Sequence, residues 1–127
     1  MLAADTNVLV RLLVRDDAKQ AVAADQAVAK GAWVSHLVLA EAVWVLDAVY
    51  ARTPKQLIAA LELLLIHESL VLQDADAVAA ALAQFRAKPA LGFSDCLVLE
   101  IARKAGHLPL ATFDKALARA AGAHRLL

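Results

Sequence analysis

The sequence predicts a small α/β fold, a three-layer α/β/α sandwich around a mainly parallel sheet of four to five strands. Short apolar runs of three to five residues alternate with longer segments of helical periodicity, and no linker rich in Ser, Gly or Pro interrupts them. Strands that alternate with helices form right-handed βαβ units, whose parallel sheet is covered on both faces. Since 127 residues is the length of one domain, we expect a single domain over residues 1–127.

The first half of the chain contains two predicted strands and three predicted helices. Gly31 follows an alanine-rich helix, and glycine is a normal helix stop. The third helix is apolar nearly all round. The elements in order are a strand at Leu2–Ala4, helices at Val8–Val14 and Asp17–Lys30, a strand at Ala32–Ser35 and a helix at Leu37–Arg52.

The second half begins at Thr53-Pro54, where Thr is a good helix N-cap and Pro suits the first helical position. Asp74 is a predicted cap, and Gly106 a predicted helix stop. The elements in order are a helix to about His67, a strand at Leu70–Leu72, helices at Asp76–Arg86 and Ser94–Ala105, a strand at Leu108–Ala111, a short helix at Lys115–Ala121 and a fifth strand at His124–Leu127.

The composition excludes several classes of protein. With 61% hydrophobic and 20% charged residues, the chain is too apolar for a disordered segment. The longest unbroken apolar run is the seven residues Ala77–Ala83, whereas about 20 are needed to span a bilayer. No basic region precedes an apolar stretch at the N-terminus, and Cys96 is the one cysteine. We therefore expect a cytoplasmic protein without a membrane segment, a disulfide or a cysteine-based zinc cluster.

The charges balance, with 13 Lys and Arg against 13 Asp and Glu. This balance argues against a protein that holds nucleic acid by a strongly basic surface alone. It does not exclude an enzyme that uses local basic residues or metal ions. The basic residues that could steer a nucleic acid are Arg11, Arg15, Arg86, Lys88 and Lys115.

Most of the acidic residues have a local structural explanation. Asp16 and Asp17 lie in a predicted helix-start turn. Glu100 has Arg103 and Lys104 one helical turn further on, so the sequence predicts a solvated face for it.

Four acidic residues do not fit that explanation. Asp5 and Asp114 each follow a predicted strand, and ligands bind at the carboxyl ends of parallel strands. Glu41 stands inside an apolar helical run without a basic neighbour, and Asp95 opens another apolar helix. A carboxylate in apolar surroundings is costly unless it is paired, protonated or bound to a metal. A helix N-cap role stays open for Asp5, Asp95 and Asp114, but not for Glu41.

A cluster of carboxylates without His or Cys ligands suits Mg²⁺ or Mn²⁺ and is a poor zinc site. One or two such ions would activate water and stabilise the oxyanions of a phosphodiester displacement. Small polar neighbours suit hydrogen bonds to the ligands or to a substrate phosphate, and these are Thr6, Asn7, Ser94 and Thr112.

Other chemistries find less support. The glycines are isolated, so no glycine-rich phosphate loop is present. The four histidines share no metal-ligand spacing. Cys96 has apolar flanks in a helical run, which predicts a core position.

The motifs around the four acids resemble those of the PIN-domain ribonucleases, and more closely those of the VapC-type toxins of bacterial toxin–antitoxin pairs. The matching segments span nearly the whole chain, and four motifs in order are a strong signal. They are Asp5-Thr6-Asn7-Val8-Leu9, Trp33-Val34-Ser35 leading to Leu39-Ala40-Glu41-Ala42-Val43-Trp44-Val45-Leu46, Phe93-Ser94-Asp95-Cys96-Leu97 and Leu110-Ala111-Thr112-Phe113-Asp114.

The resemblance implies a PIN-like fold and RNA cleavage that depends on Mg²⁺ or Mn²⁺. Its metal-binding and catalytic residues would be Asp5, Glu41, Asp95 and Asp114. It also implies a homodimer and a cognate antitoxin whose tail fills the active-site groove. Ser94 stands where an acidic or other polar residue is often found in the family, and Cys96 where a small Ala is common.

Two other functions fit the sequence less well. A catalytically inactive PIN-like module for RNA binding or protein interaction would keep the fold, but it would not need four uncompensated carboxylates. A phosphatase of the aspartyl-phosphate type would need a second acid two residues after the first, where this chain has Asn7.

A homodimer has some support in the residues themselves. Val43, Trp44 and Tyr50 lie on sides of the Leu37–Arg52 helix that cannot all face one sheet. The helix then has surplus apolar surface, which a second copy would cover. A helix fully covered within a three-layer sandwich is an equally good explanation.

Overall fold

The structure is a computed structural model that describes residues 1–127. The chain forms two compact units, Met1–Ala75 and Asp76–Leu127. No helix has the length and apolar character needed to cross a membrane.

The elements up to the third strand are β1 (Leu2–Ala3), α1 (Thr6–Val14), α2 (Ala18–Val28), β2 (Ala32–Val34), α3 (His36–Ala48), α4 (Pro54–Ile66) and β3 (Leu70–Leu72). The remaining elements are α5 (Ala75–Ala87), a 3₁₀ turn (Pro89–Leu91), α6 (Phe93–Ala105), β4 (Leu110–Thr112), a second 3₁₀ turn (Leu117–Arg119) and β5 (Ala123–Arg125).

The first unit is built on a three-stranded parallel sheet in the order β1-β2-β3. Ala32 of β2 lies opposite Leu2 on one side and opposite Leu70 on the other. Helix α1 packs against α2 and α3. The side chains of Leu9 and Leu61 are completely buried, so α1 and α4 each insert a leucine into the core.

The second unit contains a two-stranded parallel sheet of β4 and β5, with Leu110 opposite Ala123. Phe85 and Phe93 form an edge-to-face pair with ring centroids 6.2 Å apart. Cys96 is completely buried, which confirms its predicted core position. Burial, together with nearby negative charge, raises the pKa of its thiol to about 11.

The predicted α/β class with parallel strands is confirmed, with the five strands divided between sheets of three and two. Strand β3 has the predicted bounds. Helix α4 begins with the predicted cap: Thr53 and Gln56 exchange the two hydrogen bonds of a capping box, and Pro54 is the first helical residue.

Some predicted helix ends are wrong in the first unit. Helix α1 begins two residues earlier than Val8, because the Asp5 side chain caps it. Helix α3 ends at Ala48 instead of Arg52. Ala51 has a φ of +51°, a left-handed conformation that a right-handed helix cannot contain, so the apolar pattern continues past the end of the helix.

Three predicted elements are displaced or shorter in the second unit. The predicted strand Leu108–Ala111 is β4 at Leu110–Thr112, since Pro109 lacks the N–H that a ladder needs. The predicted helix Lys115–Ala121 is only the second 3₁₀ turn. The predicted strand His124–Leu127 is β5, which begins one residue earlier.

Candidate functional site

Asp5 lies just beyond the carboxyl end of β1 and is exposed. Its Oδ1 accepts a hydrogen bond from the backbone N–H of Val8 at 3.2 Å, so it is the N-cap of α1. The N-cap role that the sequence left open is therefore correct for Asp5. The cap uses one carboxylate oxygen and leaves Oδ2 without an intramolecular hydrogen bond.

Glu41 is held at the start of α1 by a side-chain hydrogen bond. The hydroxyl of Thr6 donates to Oε2 of Glu41 at 2.8 Å. Thr6 directly follows Asp5, so the bond draws Glu41 towards the same end of α1 as Asp5. We call Asp5 and Glu41 the first acidic pair.

The expectation that Glu41 is enclosed by apolar side chains is wrong. Glu41 is exposed, and two of its apolar neighbours are exposed too, Leu37 by 69% and Trp44 by 65%. Helix α3 buries another face, which includes Leu39 and Leu46. The apolar residues around Glu41 therefore form surface, and burial does not account for an unpaired carboxylate there.

Asp95 and Asp114 form a second acidic pair, within the Asp76–Leu127 unit. Asp95 is half-buried in the first turn of α6. Burial raises the pKa of the Asp95 carboxyl, and the negative charge of Asp114 raises it further. The two carboxylates are thus close enough to repel each other.

The N-cap role is wrong for Asp95 and for Asp114, since the N-cap of the second 3₁₀ turn is Ala116. Gly92 precedes α6 as its N-cap, so the Asp95 carboxylate caps nothing. Oδ1 of Asp114 accepts from the backbone N–H of Leu117 at 2.9 Å and fixes the second 3₁₀ turn. The Asp114 N–H donates to Thr112 Oγ1 at 3.0 Å.

The four polar residues predicted beside the acids divide into two groups. Thr6 and Thr112 each hold a member of an acidic pair, as described above. The side chains of Asn7 and Ser94 are exposed and form no hydrogen bond in the structure. Asn7 instead lines a cleft of about 430 Å³ along α1 and α2, together with Arg11 and Gln20.

Two of the basic residues suggested for steering RNA are already neutralised. Arg11 pairs with Asp16 at 2.8 Å and also donates to the Tyr50 hydroxyl. Arg15 forms a bidentate ion pair with Asp25, in which Nη1 donates to Oδ1 at 2.9 Å and Nη2 to Oδ2 at 2.7 Å. These pairs join α1 to α2 and to the end of α3, so both arginines serve the packing of the first unit.

Sequence reasoning missed the burial of Glu100. Its carboxylate accepts hydrogen bonds from Gln84 Nε2 and Arg103 Nε, both at 3.0 Å, and the residue is 7% exposed. A signal was present, because Phe93, Cys96 and Glu100 recur at helical spacing on one face. The predicted partner Arg103 is correct, but the predicted solvated face is wrong.

No group of three or more His, Cys, Asp or Glu side chains is arranged so that it could hold a metal ion. The structure places the predicted acids in two pairs, and one member of each pair, Asp5 or Asp114, comes shortly after the carboxyl end of a parallel strand. Such strand ends are where α/β proteins bind ligands. The chain is an α/β protein with an acidic residue after two of its parallel strands.

A model of the PIN domain family matches residues 3–123, and the chain belongs to this family. PIN domains are generally nucleases, and they generally use divalent metal ions. No curated protein and no solved structure matches the chain.

The repulsion within the second acidic pair gives a direct prediction. Replacing Asp114 by Asn removes its charge while the amide oxygen still accepts from Leu117 N–H. We expect the pKa of Asp95 to fall in the metal-free Asp114→Asn variant. Side-chain carboxyl NMR shifts followed through a pH titration measure this pKa. An unchanged pKa would contradict the pairing.

The same shift fixes the sign of a stability effect. Folding raises the Asp95 pKa, so it favours the protonated form. Protonated Asp95 makes its whole contribution to the free energy of unfolding below the pKa of the unfolded side chain, about 3.9. This contribution is lost as the pH rises through the pKa of Asp95 in the folded protein. Urea denaturation of the metal-free protein should show this loss more weakly in Asp114→Asn.

Proposed function

We propose that this protein is a metal-dependent endoribonuclease that hydrolyses RNA phosphodiester bonds with a metal-activated water. Asp5, Glu41, Asp95 and Asp114 are the proposed catalytic residues and ligands of Mg²⁺ or Mn²⁺. The observation that carries the proposal is the absence of any ion pair at these four carboxylates. The pKa of Asp95 is also raised, first by burial and then by the charge of Asp114. The acids that do form ion pairs are Asp16, Asp25, Asp76 and Glu100.

The donor chemistry fits a hard divalent cation. All four side chains offer carboxylate oxygens, which Mg²⁺ and Mn²⁺ prefer, and no Cys or His joins either pair. The metal would supply water activation and neutralise charge on the phosphate during the reaction. A cation would also relieve the repulsion between Asp95 and Asp114.

The chain fixes most of these carboxylates in advance. The Val8 N–H holds Asp5, the Thr6 hydroxyl holds Glu41, and the Leu117 N–H holds Asp114, in each case by one oxygen. The second oxygen of each is left for a ligand. Side chains oriented in this way lose little freedom when they bind, which favours a reaction that depends on geometry.

The proposal is tested by incubating the purified protein with labelled single-stranded RNA and Mg²⁺ or Mn²⁺. We expect internal cleavage with either metal and none when EDTA is added. Single-stranded DNA of the same sequence is the control for substrate class. Cleavage that continues in EDTA, or no cleavage with either metal, would contradict the proposal.

A second candidate is a catalytically inactive PIN-like module that binds RNA or another protein. The lack of a ready three-carboxylate metal group favours this alternative. Calorimetric titration with Mn²⁺ separates the two functions. Binding that is lost in Asp95→Asn supports the nuclease, and no binding at millimolar Mn²⁺ supports the inactive module.

The biological role that we propose is the toxin of a cytoplasmic toxin–antitoxin pair, acting as a homodimer. The resemblance of the four motifs to VapC-type toxins supports the role. Exposed apolar residues on and beside α3 support the dimer, including Leu37, Trp44 and Val49. Light scattering after gel filtration measures the molar mass of the protein, and a monomer would contradict the proposed dimer. The same measurement with the product of the neighbouring gene tests the antitoxin, and the absence of a complex would contradict it.

A further inference from the structure

The Asp76–Leu127 unit contains a cleft of about 320 Å³ between its two 3₁₀ turns. Ligand pockets in proteins begin at about 300 Å³, so the cleft has room for one nucleotide. We call it the cationic cleft. The residues that line it are Lys88, Pro89, Ala90, Leu91, Ala116 and Arg119.

The charges of the cationic cleft are positive only. Lys88 and Arg119 are its charged residues, and neither forms an ion pair or a side-chain hydrogen bond in the structure. Two other cations of the same unit are paired, Arg103 with Glu100 and Lys104 with Asp76. Two uncompensated cations in one concave site attract an anion.

The walls of the cleft are fixed by backbone hydrogen bonds. Lys88 N–H donates to Gln84 O at 2.9 Å, which ties the first wall to the end of α5. In the second wall, Arg119 N–H donates to Ala116 O at 3.2 Å, and the Leu117 side chain is buried. Both cations therefore project from ordered turns.

Each wall is continuous with a member of the second acidic pair. The first 3₁₀ turn leads through Gly92 into α6, whose first turn carries Asp95. The first residue of the second 3₁₀ turn, Leu117, donates its backbone N–H to the Asp114 carboxylate. A ligand in the cationic cleft therefore contacts the same two segments that present these carboxylates.

We propose that the cationic cleft binds one nucleotide of the RNA substrate outside the bond that is cleaved. Lys88 and Arg119 hold its phosphate, and the nucleoside lies against apolar residues such as Pro89 and Leu91. Arg and Lys are the usual partners of backbone phosphates, which fix the register of a strand without reading its sequence. This inference rests on the proposed nuclease function.

The test measures RNA binding separately from cleavage. The parent protein is the full-length Asp95→Asn variant in EDTA, and the probe is a fluorescein-labelled 10-nucleotide single-stranded RNA followed by anisotropy. We expect Lys88→Ala with Arg119→Ala to weaken binding about tenfold and to reduce the slope of log K against log salt by about 0.7, because one phosphate is no longer neutralised. Lys19→Ala with Lys30→Ala removes the same charge from the exposed surface of the first unit and is the matched control.

An equal loss of affinity in the control variant, or no loss in the cleft variant, would overturn the proposal. So would the absence of RNA binding by the parent protein. Polyglutamate is the comparison ligand: the same loss for polyglutamate would show a site for acidic peptides instead of phosphate. Circular dichroism melting verifies that both variants fold.

The two proposals fail in different ways. If the wild-type protein does not cleave RNA but its RNA binding depends on Lys88 and Arg119, the proposed nuclease function is contradicted and the proposed role of the cationic cleft is supported. If the protein cleaves RNA with metal but its RNA binding does not depend on Lys88 and Arg119, only the proposed role of the cationic cleft is contradicted.

Discussion

Replacing Asp95 by Asn is expected to lower the rate of RNA cleavage with Mn²⁺ by about 10³-fold, because one metal ligand contributes several kcal/mol at the transition state. The loss should not be caused by unfolding. The Asp95 carboxylate forms no ion pair and does not cap α6, whose N-cap is Gly92. Asn has the same shape without the charge, so the variant removes a ligand and relieves a repulsion.

Asp5→Asn should lower cleavage to a similar degree. Asn is as good an N-cap as Asp, so its amide oxygen can keep the hydrogen bond from Val8 N–H. Helix α1 then stays intact while the negative charge is lost. Asp5→Asn should therefore lower activity without lowering stability, as Asp95→Asn should.

Initial cleavage rates and melting temperatures of the same preparations check both variants. The matched control is Asp17→Asn, since Asp17 is the N-cap of α2 and belongs to neither acidic pair. We expect the control to cleave at close to the wild-type rate. Wild-type rates in both Asp95→Asn and Asp5→Asn, or an equal loss in the control, would contradict the assignment.

The order of strands and helices could be predicted because the apolar periods are short-range properties. The bounds of β3 and the capping of α4 follow from a few adjacent residues. Helix α3 shows the limit, since its apolar run predicts a helix to Arg52 but the chain leaves the helix at Ala48. Hydropathy does not register a left-handed residue such as Ala51, whose conformation depends on what packs around the turn.

Three of the four proposed site acids, Asp5, Glu41 and Asp95, stand out because no basic residue lies beside them in the chain, and Asp114 because it follows a predicted strand. Their surroundings could not be predicted, since a sequence shows which neighbours are apolar but not which face of a helix is covered. Glu41 has exposed apolar neighbours, whereas Glu100, beside two basic residues, is buried. Lys104 pairs with Asp76, which lies 28 residues away in the chain.

Replacing Arg103 by Met is expected to lower the free energy of unfolding by about 3 kcal/mol, because it leaves a buried carboxylate without its counter-ion. The Glu100 side chain is 8% exposed, and Arg103 Nε contacts both of its oxygens, at 3.0 and 3.1 Å. Only the Gln84 amide remains as a donor when the guanidinium is removed. Met keeps the apolar stem of the side chain, so the loss is that of charge and hydrogen bonds.

Arg103 also fixes the approach to β5. Its Nη2 donates to the carbonyl oxygen of Ala121 at 2.6 Å. The guanidinium lies against Gly122, where an added Cβ would be 3.1 Å from Nη2. Gly122 has a φ of +92°, so glycine suits both the backbone and the close approach. The single substitution therefore loosens α6 and the strand that pairs with β4.

Urea denaturation of a double-mutant cycle measures the coupling. Glu100→Gln in the Arg103→Met background removes the uncompensated charge, so the double variant should be more stable than Arg103→Met alone. Arg125→Met is the control, because Arg125 is exposed and unpaired, and its effect should stay within about 0.5 kcal/mol. If the effects of the Glu100 and Arg103 substitutions simply add, the two side chains are not coupled. The stability of this unit then rests on its apolar core, and the buried ion pair has no part in it.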